Sequence, residues 1–264
     1  MDINEFIGVK DGEKPLDRLV TDGGFCAIFR TVVCIGDSLS SGEFESKNAD
    51  GSKGYHDLFE YSWGQFLGRS CGSKVYNFSR GGMTAKEYIE GFADANGFWD
   101  KDKLAQAYII ALGVNDLLNR NQEIGGIGDI NLSDYTKNAG TFAGYYGQII
   151  QRIKVLQPRA KIFLVSMPKS GNVQDEKRRE HRDLLKEFTE LFSNTYLIDL
   201  YEYSPVQDEK FREVFWEGHM TPTGYVLTAK MVESYIDYII RKNPQDFKQV
   251  GFIGTDLYYT PENK

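Results

Sequence analysis

No stretch of the 264 residues is apolar for long enough to cross a bilayer: runs such as Ala107 to Leu112 fall far short of the roughly 20 residues a spanning helix needs. Basic charge is also scarce, with 31 Lys and Arg against 38 Asp and Glu and a formal net charge of -7. Because the two signs are interspersed and form no basic face, a nucleic-acid partner is excluded, and a neutral or weakly polar substrate fits better. Cysteine is limited to Cys26, Cys34 and Cys71, none at metal-ligand spacing, so they read as buried thiols. Neither a zinc pattern nor a cofactor motif occurs, so no metal and no cofactor is expected. The start, Met1-Asp2-Ile3-Asn4-Glu5, lacks the basic and apolar regions of a signal peptide. As it stands it predicts a cytoplasmic protein, or a secreted one whose leader has been removed. No Pro/Ser/Gly-rich linker divides the chain, which predicts a single domain over 1–264, with residues 1–30 as an N-terminal extension and 243–264 as a tail, both packed on it.

What is present is organised around Val32-Val33-Cys34-Ile35-Gly36-Asp37-Ser38-Leu39-Ser40. An apolar run ending in a glycine reads as a buried parallel strand, and it delivers Ser38 to the carboxyl end, where open α/β sheets bind ligands. A serine hydroxyl is a poor nucleophile by itself and needs a base, a group that orients the base, and donors for an oxyanion.

Further strands are expected at Lys74 to Phe78, Ala107 to Leu112, Lys161 to Val165 and Tyr196 to Leu200. Between them, helical spacing predicts helices from Ala85 to Phe92, from Lys137 to Gln157, from Asp175 to Ser193, and after Pro222. Strand and helix alternate about five times, which indicates a parallel sheet covered on both faces. Beyond the second strand, Gly81-Gly82 opens a helix with outward backbone N–H groups and supplies an oxyanion donor, or simply a tight turn. Asn115 lies just beyond the third strand, the same topological position as Ser38, where its amide would donate a second such bond.

Two loops are expected to form pocket walls: the polar stretch from Gly42 to Ser62, and Asn119 to Leu132 with its Gly125-Gly126-Ile127-Gly128-Asp129. Of the three histidines, His56 lies in the first of these loops and ranks well behind as a base. His181 falls in the charged half of a helix and reads as solvated. His219 is held immediately before the last helix, near the end of the sheet, where Thr221 caps and Pro222 occupies the first turn.

Taken together these positions resemble the SGNH hydrolases, the superfamily of GDSL lipases and acylhydrolases. Gly36-Asp37-Ser38-Leu39 resembles block I, Gly82 before Met83-Thr84 block II, Gly113-Val114-Asn115-Asp116 block III, and His219 with Pro222 and Gly224-Tyr225 block V. The resemblance implies a flavodoxin-like three-layer α/β/α fold with a five-stranded parallel sheet, and a serine esterase without metal or cofactor. It further implies Ser38 as nucleophile, His219 as general base, and an oxyanion hole formed by the N–H groups of Ser38 and Gly82 and the side chain of Asn115.

One departure stands out: the family usually carries an Asp three residues before the histidine, where this chain has Trp216. The main-chain carbonyl of Trp216 is therefore expected to accept from His219 Nδ1, leaving a Ser-His dyad, with Glu217 as a competing acid and a degenerate site as a third reading. Tyr55, Tyr61, Trp63, Trp99 and Trp216 would suit stacking on sugar rings if they are not core, which favours a short acyl, O-acetyl ester on a small molecule or oligosaccharide. The alternatives are a lipase, lysophospholipase or thioesterase, and a non-catalytic module binding a carbohydrate or acyl ligand.

Overall fold

Strand β1 (Thr31–Gly36) sends alternate side chains into two separate cores: Val33 and Ile35 into one, Val32 and Cys34 into the other. This is what a continuous apolar run does in a sheet buried on both faces. The structure is a computed structural model that describes residues 2–253 together with 255 and 257. The remaining strands are β2 (Glu43–Lys47), β3 (Lys53–Asp57), β4 (Lys74–Ser79), β5 (Ala107–Ala111), β6 (Lys161–Val165), β7 (Thr195–Ile198), β8 (Trp216–Glu217) and β9 (His219–Met220). Five of them form a parallel sheet in the order β4-β1-β5-β6-β7.

Helices Phe142–Leu156 and Asp175–Leu191 cover one face, and helices Trp63–Cys71 and Pro222–Lys242 the other. On the first face Tyr146, Ile149, Ile150 and Phe188 close the core over Tyr108, Ile110 and Leu164. On the second, Leu67, Tyr225, Val232 and Ile236 close it over Ile109 and Phe163. The expected three-layer α/β/α architecture is therefore present, and all three cysteines are buried in its second core.

The departures have local causes. The helix expected from Lys137 begins at Phe142 because the Thr141 hydroxyl accepts from Gly144 N at 3.1 Å and caps it there. Residues 1–30, the N-terminal extension, contain helical turns at Ile3–Phe6 and Gly24–Ile28. In the tail Phe247 is buried against Phe29 and Tyr196, whereas Tyr258 and Tyr259 lie outside the described residues.

Of the expected wall Asn119 to Leu132, Asn119 lines a cavity at the end of the sheet, while residues 125–129 are fastened to a helix. The Asp129 carboxylate accepts from Gly126 N and from the Thr141 hydroxyl, both at 2.9 Å, and fastens the segment to the start of the helix behind it. His181 is fully buried rather than solvated, its Nε2 facing Leu112 O at 3.1 Å and its Nδ1 facing Met167 N at 3.4 Å. Burial pushes its pKa down to about 4. It serves as a polar strut between the loops that follow β5 and β6.

Candidate active site

Strand register brings three of the expected site residues to one end of the sheet. Gly36 of β1 lies opposite Ser79 of β4 and Ala111 of β5, so the loops carrying Ser38, Gly82 and Asn115 leave the sheet at the same level. Asp37 caps the single turn Ser38–Ser41, its carboxylate accepting from Leu39 N at 3.0 Å. Asn115 ties the loops together: its Nδ2 donates to Met83 O at 3.2 Å and reaches Asp37 Oδ2 at 3.5 Å, while its Oδ1 accepts from Asn119 Nδ2 at 2.8 Å. Gly82, next to Met83, has φ of +72°, the left-handed conformation a glycine adopts without strain.

Two buried carboxylates hold this arrangement. Asp116 accepts from Ala85 N at 2.8 Å, fixing the helix start that follows Gly82. Burial raises Asp116 to about 6 and Asp37 to about 7, the latter pushed further by the charge of Asp116.

His219 is where the structure differs most from expectation. Its Nδ1 lies 3.2 Å from Glu45 Oε1, and its Nε2 lies 3.0 Å from Glu43 Oε1. Trp216, whose carbonyl was the expected partner, is instead paired with Met220 across the two-residue ladder of β8 and β9, and Glu217 points to solvent. Glu43 and Glu45 are two residues apart on β2, so the strand presents both carboxylates on one face.

Local backbone makes room for them. At Gly218, with φ of +75°, a Cβ would strike the Glu45 carboxylate, and at Gly81 a Cβ would strike that of Glu43. Lys53, 2.6 Å from Glu45, holds its carboxyl below the usual carboxylate range, with His219 adding to the effect. Burial pushes Glu43 up, and the positive edge of His219 opposes this.

The strand bearing these carboxylates is half of a hairpin, β2–β3, inside the stretch from Gly42 to Ser62 that reads as loop. Only the turn, Asp50-Gly51, left a signal; Glu43-Phe44-Glu45-Ser46-Lys47 before it carries charge on the face that a strand pattern shows as apolar. Phe44 packs on Tyr61 and Tyr225, and the Tyr225 hydroxyl donates to Glu43 O at 2.8 Å while lying 3.5 Å from Ser38 O. The hairpin is thus fastened to both the last helix and the Ser38 turn. Asp57 of β3 accepts from Gly81 N at 3.3 Å and from the Ser41 hydroxyl. His56 is exposed and bonded to Ser46 Oγ at 2.8 Å, outside this group.

Among the described residues Ser38 Oγ and His219 are not hydrogen-bonded to each other, and Nε2 faces Glu43 instead. Of the five aromatics considered for stacking, Trp63 is core. Trp99 packs on Tyr88 under Arg152, Tyr61 lies behind Phe44, and Tyr55 stands edge-on to the His219 ring at 6.2 Å. Trp216 borders a cavity under Arg212.

A five-stranded parallel sheet with serine, glycine, asparagine and histidine loops at its carboxyl end defines an SGNH-type hydrolase fold. The GDSL-like Lipase/Acylhydrolase family matches residues 34–227, and the chain belongs to that family. Among solved structures it is similar to a family two carbohydrate esterase from Clostridium thermocellum in complex with cellohexaose, at 16% identity and a TM-score of 0.56, covering 82% of this chain and 65% of that one. It is similar as well to a carbohydrate esterase family 2 enzyme plus carbohydrate binding domain from Corynascus thermopiles (Myceliophthora fergusii), at 15% identity and a TM-score of 0.53, covering 80% and 66%. A third likeness, described as a possible lipase from Chitinophaga pinensis DSM 2588, has 19% identity and a TM-score of 0.50, covering 81% and 98%. This chain therefore spans about two thirds of the length of the two carbohydrate esterases. No curated protein matches the sequence.

Proposed function

We propose that the chain is a serine esterase that hydrolyses short acyl esters, O-acetyl esters of carbohydrates in particular. The observation that carries this reading is the clamping of His219 by Glu45 at Nδ1, on the hairpin that the Tyr225 hydroxyl ties toward the Ser38 turn. It gives the base the orienting acid whose usual position is occupied by Trp216.

Ser38 Oγ attacks the acyl carbon as His219 Nε2 takes its proton. The carbonyl oxygen gathers negative charge and receives hydrogen bonds from Ser38 N–H, Gly82 N–H and Asn115 Nδ2. His219 then returns the proton to the leaving alcohol, and water, deprotonated by the same imidazole, releases the acid and restores Ser38. Glu45 keeps Nδ1 as the donor and stabilises the imidazolium that forms. Glu43 occupies Nε2 in the resting site. In the reaction Nε2 exchanges that contact for Ser38 Oγ, in keeping with the tendency of catalytic hydrogen bonds to tighten only when substrate is bound. The carbohydrate assignment is supported by the carbohydrate esterase likenesses, one of which holds cellohexaose.

The test is hydrolysis of p-nitrophenyl esters from acetyl to long acyl by the wild type and Ser38→Ala at several pH values. A rate that peaks at acetyl and is abolished in the variant is the expected result. A long-chain optimum would replace the substrate assignment with a lipase reading. Binding of acylated ligands without turnover of any ester would replace the enzyme with a binding module.

A further inference from the structure

A cavity of about 270 Å³ begins beside the catalytic turn, lined by Asp37 and Leu39 on either side of Ser38 and by Val114 and Met220, the neighbours of Asn115 and His219. Its floor is apolar, but polar groups line it that nothing in the fold satisfies. Gln207, only 8% exposed, lines the cavity, and Ser40 Oγ on the same wall is buried with no hydrogen-bond partner among the described residues. Trp216 Nε1 is buried and equally without a partner among them. Leaving a buried polar group unpaired is costly, so two at one cavity mark a place where a ligand supplies partners.

The charge at the same place is positive in a chain of net charge -7. Arg212 lies over the Trp216 ring at 4.6 Å and has no carboxylate within 4 Å among the described residues. Arg178, its side chain 12% exposed, reaches Asp175 at 3.4 Å and Ser170 Oγ at 3.2 Å. That single carboxylate already accepts from Ser170 N, Ser170 Oγ and Gly171 N at 2.8 to 3.0 Å, so it answers only part of two guanidinium charges. Arg178 has its pKa lowered, by burial first and by the charge of Arg212 besides.

We propose that this cavity binds an anionic group, a carboxylate by its chemistry, on the alcohol part of the ester substrate. The assignment rests on the esterase reading of Ser38 and names its substrate class. An acyl chain would leave Ser40 Oγ, Trp216 Nε1 and both arginines unanswered, and a neutral hydroxyl would pair with one of them. A carboxylate offers two oxygens to the arginine fork and lone pairs to the neighbouring donors. The opposite wall reinforces the orientation. Glu43, Glu45 and Asp57 repel an anion from the His219 side, so the charge goes into the cavity and the acyl carbon stays over Ser38.

The experiment compares kcat/KM for 4-acetoxybenzoate and for its neutral methyl ester in the wild type, Arg212→Gln and the double variant Arg178→Gln/Arg212→Gln. Comparing ratios between enzymes cancels the intrinsic reactivity of the two esters. The anion-to-neutral ratio is expected to fall at least tenfold in the double variant, through KM, and by less in the single one, while the acetyl transfer from the neutral ester is unchanged. A ratio equal in all three enzymes overturns the assignment. If neither ester is hydrolysed, the esterase reading fails on its own, and calorimetric binding of 4-hydroxybenzoate decides the anion site. Binding to the wild type that is lost in the double variant supports it, and no binding to the wild type overturns it.

Discussion

His219 has a carboxylate on each ring nitrogen, and the two are not equivalent. Glu45 is held ionised by Lys53 and faces Nδ1, whereas Glu43 is pushed toward its protonated form by burial and faces Nε2, the nitrogen that must serve Ser38. Glu45→Gln should therefore lower kcat by about 10- to 10³-fold at neutral pH with Tm nearly unchanged, less than the roughly 10⁴ seen when a fully enclosed orienting Asp is disrupted. Gly218→Ala should reproduce part of that loss, since its Cβ would displace the Glu45 carboxylate. Glu217→Gln, altering an exposed side chain, should leave kcat unchanged. Steady-state kinetics on p-nitrophenyl acetate would check all three, and an impaired Glu217→Gln beside a normal Glu45→Gln would reverse the assignment.

At the scale of elements, the central strands were legible because burial on both faces writes itself as a continuous apolar run, as in Val32 to Ile35 and Ile162 to Val165. The shared sheet end of Ser38 and Asn115 was legible because each follows such a strand closely, whereas Gly82 follows the mixed edge strand β4 and was marked by its paired glycines. The β2–β3 hairpin was not, because Glu43 and Glu45 face His219 rather than a core, so its inward face carries charge where a strand pattern shows hydrophobic residues. The same masking hid His181. A histidine among charged residues of an amphipathic helix reads as solvated, and only the path of the loops after β5 and β6 reveals that it spans them. Trp216 was read both for its carbonyl and as a ring suited to stacking; its indole, with Arg212 above it, borders the cavity. Side-chain orientation in a two-residue ladder leaves no periodicity to detect.

For the whole molecule, the position of a charge matters more than the total. A net charge of -7 points to a neutral substrate, yet the acidic groups around His219 and the arginines at the cavity divide the catalytic end into a negative and a positive side. Stability carries a pH signature of the same kind. Asp37 and Asp116 retain protons in the fold up to about 7 and about 6, but lose them near 4 in the unfolded chain. The fold thus binds more protons than the unfolded chain between those values, and stability contributed by the protonated carboxyls is lost as pH rises through the interval. His181, neutral in the fold down to about 4, acts in the opposite direction and flattens the net profile. Asp37→Asn keeps the cap and removes one titration. Its Tm relative to wild type should rise between pH 5 and 8 by roughly 4–8 °C, the equivalent of about 2 kcal/mol. A parallel pH course for the two proteins would show that Asp37 is ionised throughout.

The most direct measurement of the central claim is reaction of the full chain with a fluorophosphonate, followed by mass mapping of the adduct. A single phosphonyl group on Ser38, absent in Ser38→Ala and formed much more slowly in His219→Ala, is the predicted result. An unlabelled wild type, or an adduct on another serine that accounts for the esterase activity, would contradict the assignment of Ser38 as the nucleophile.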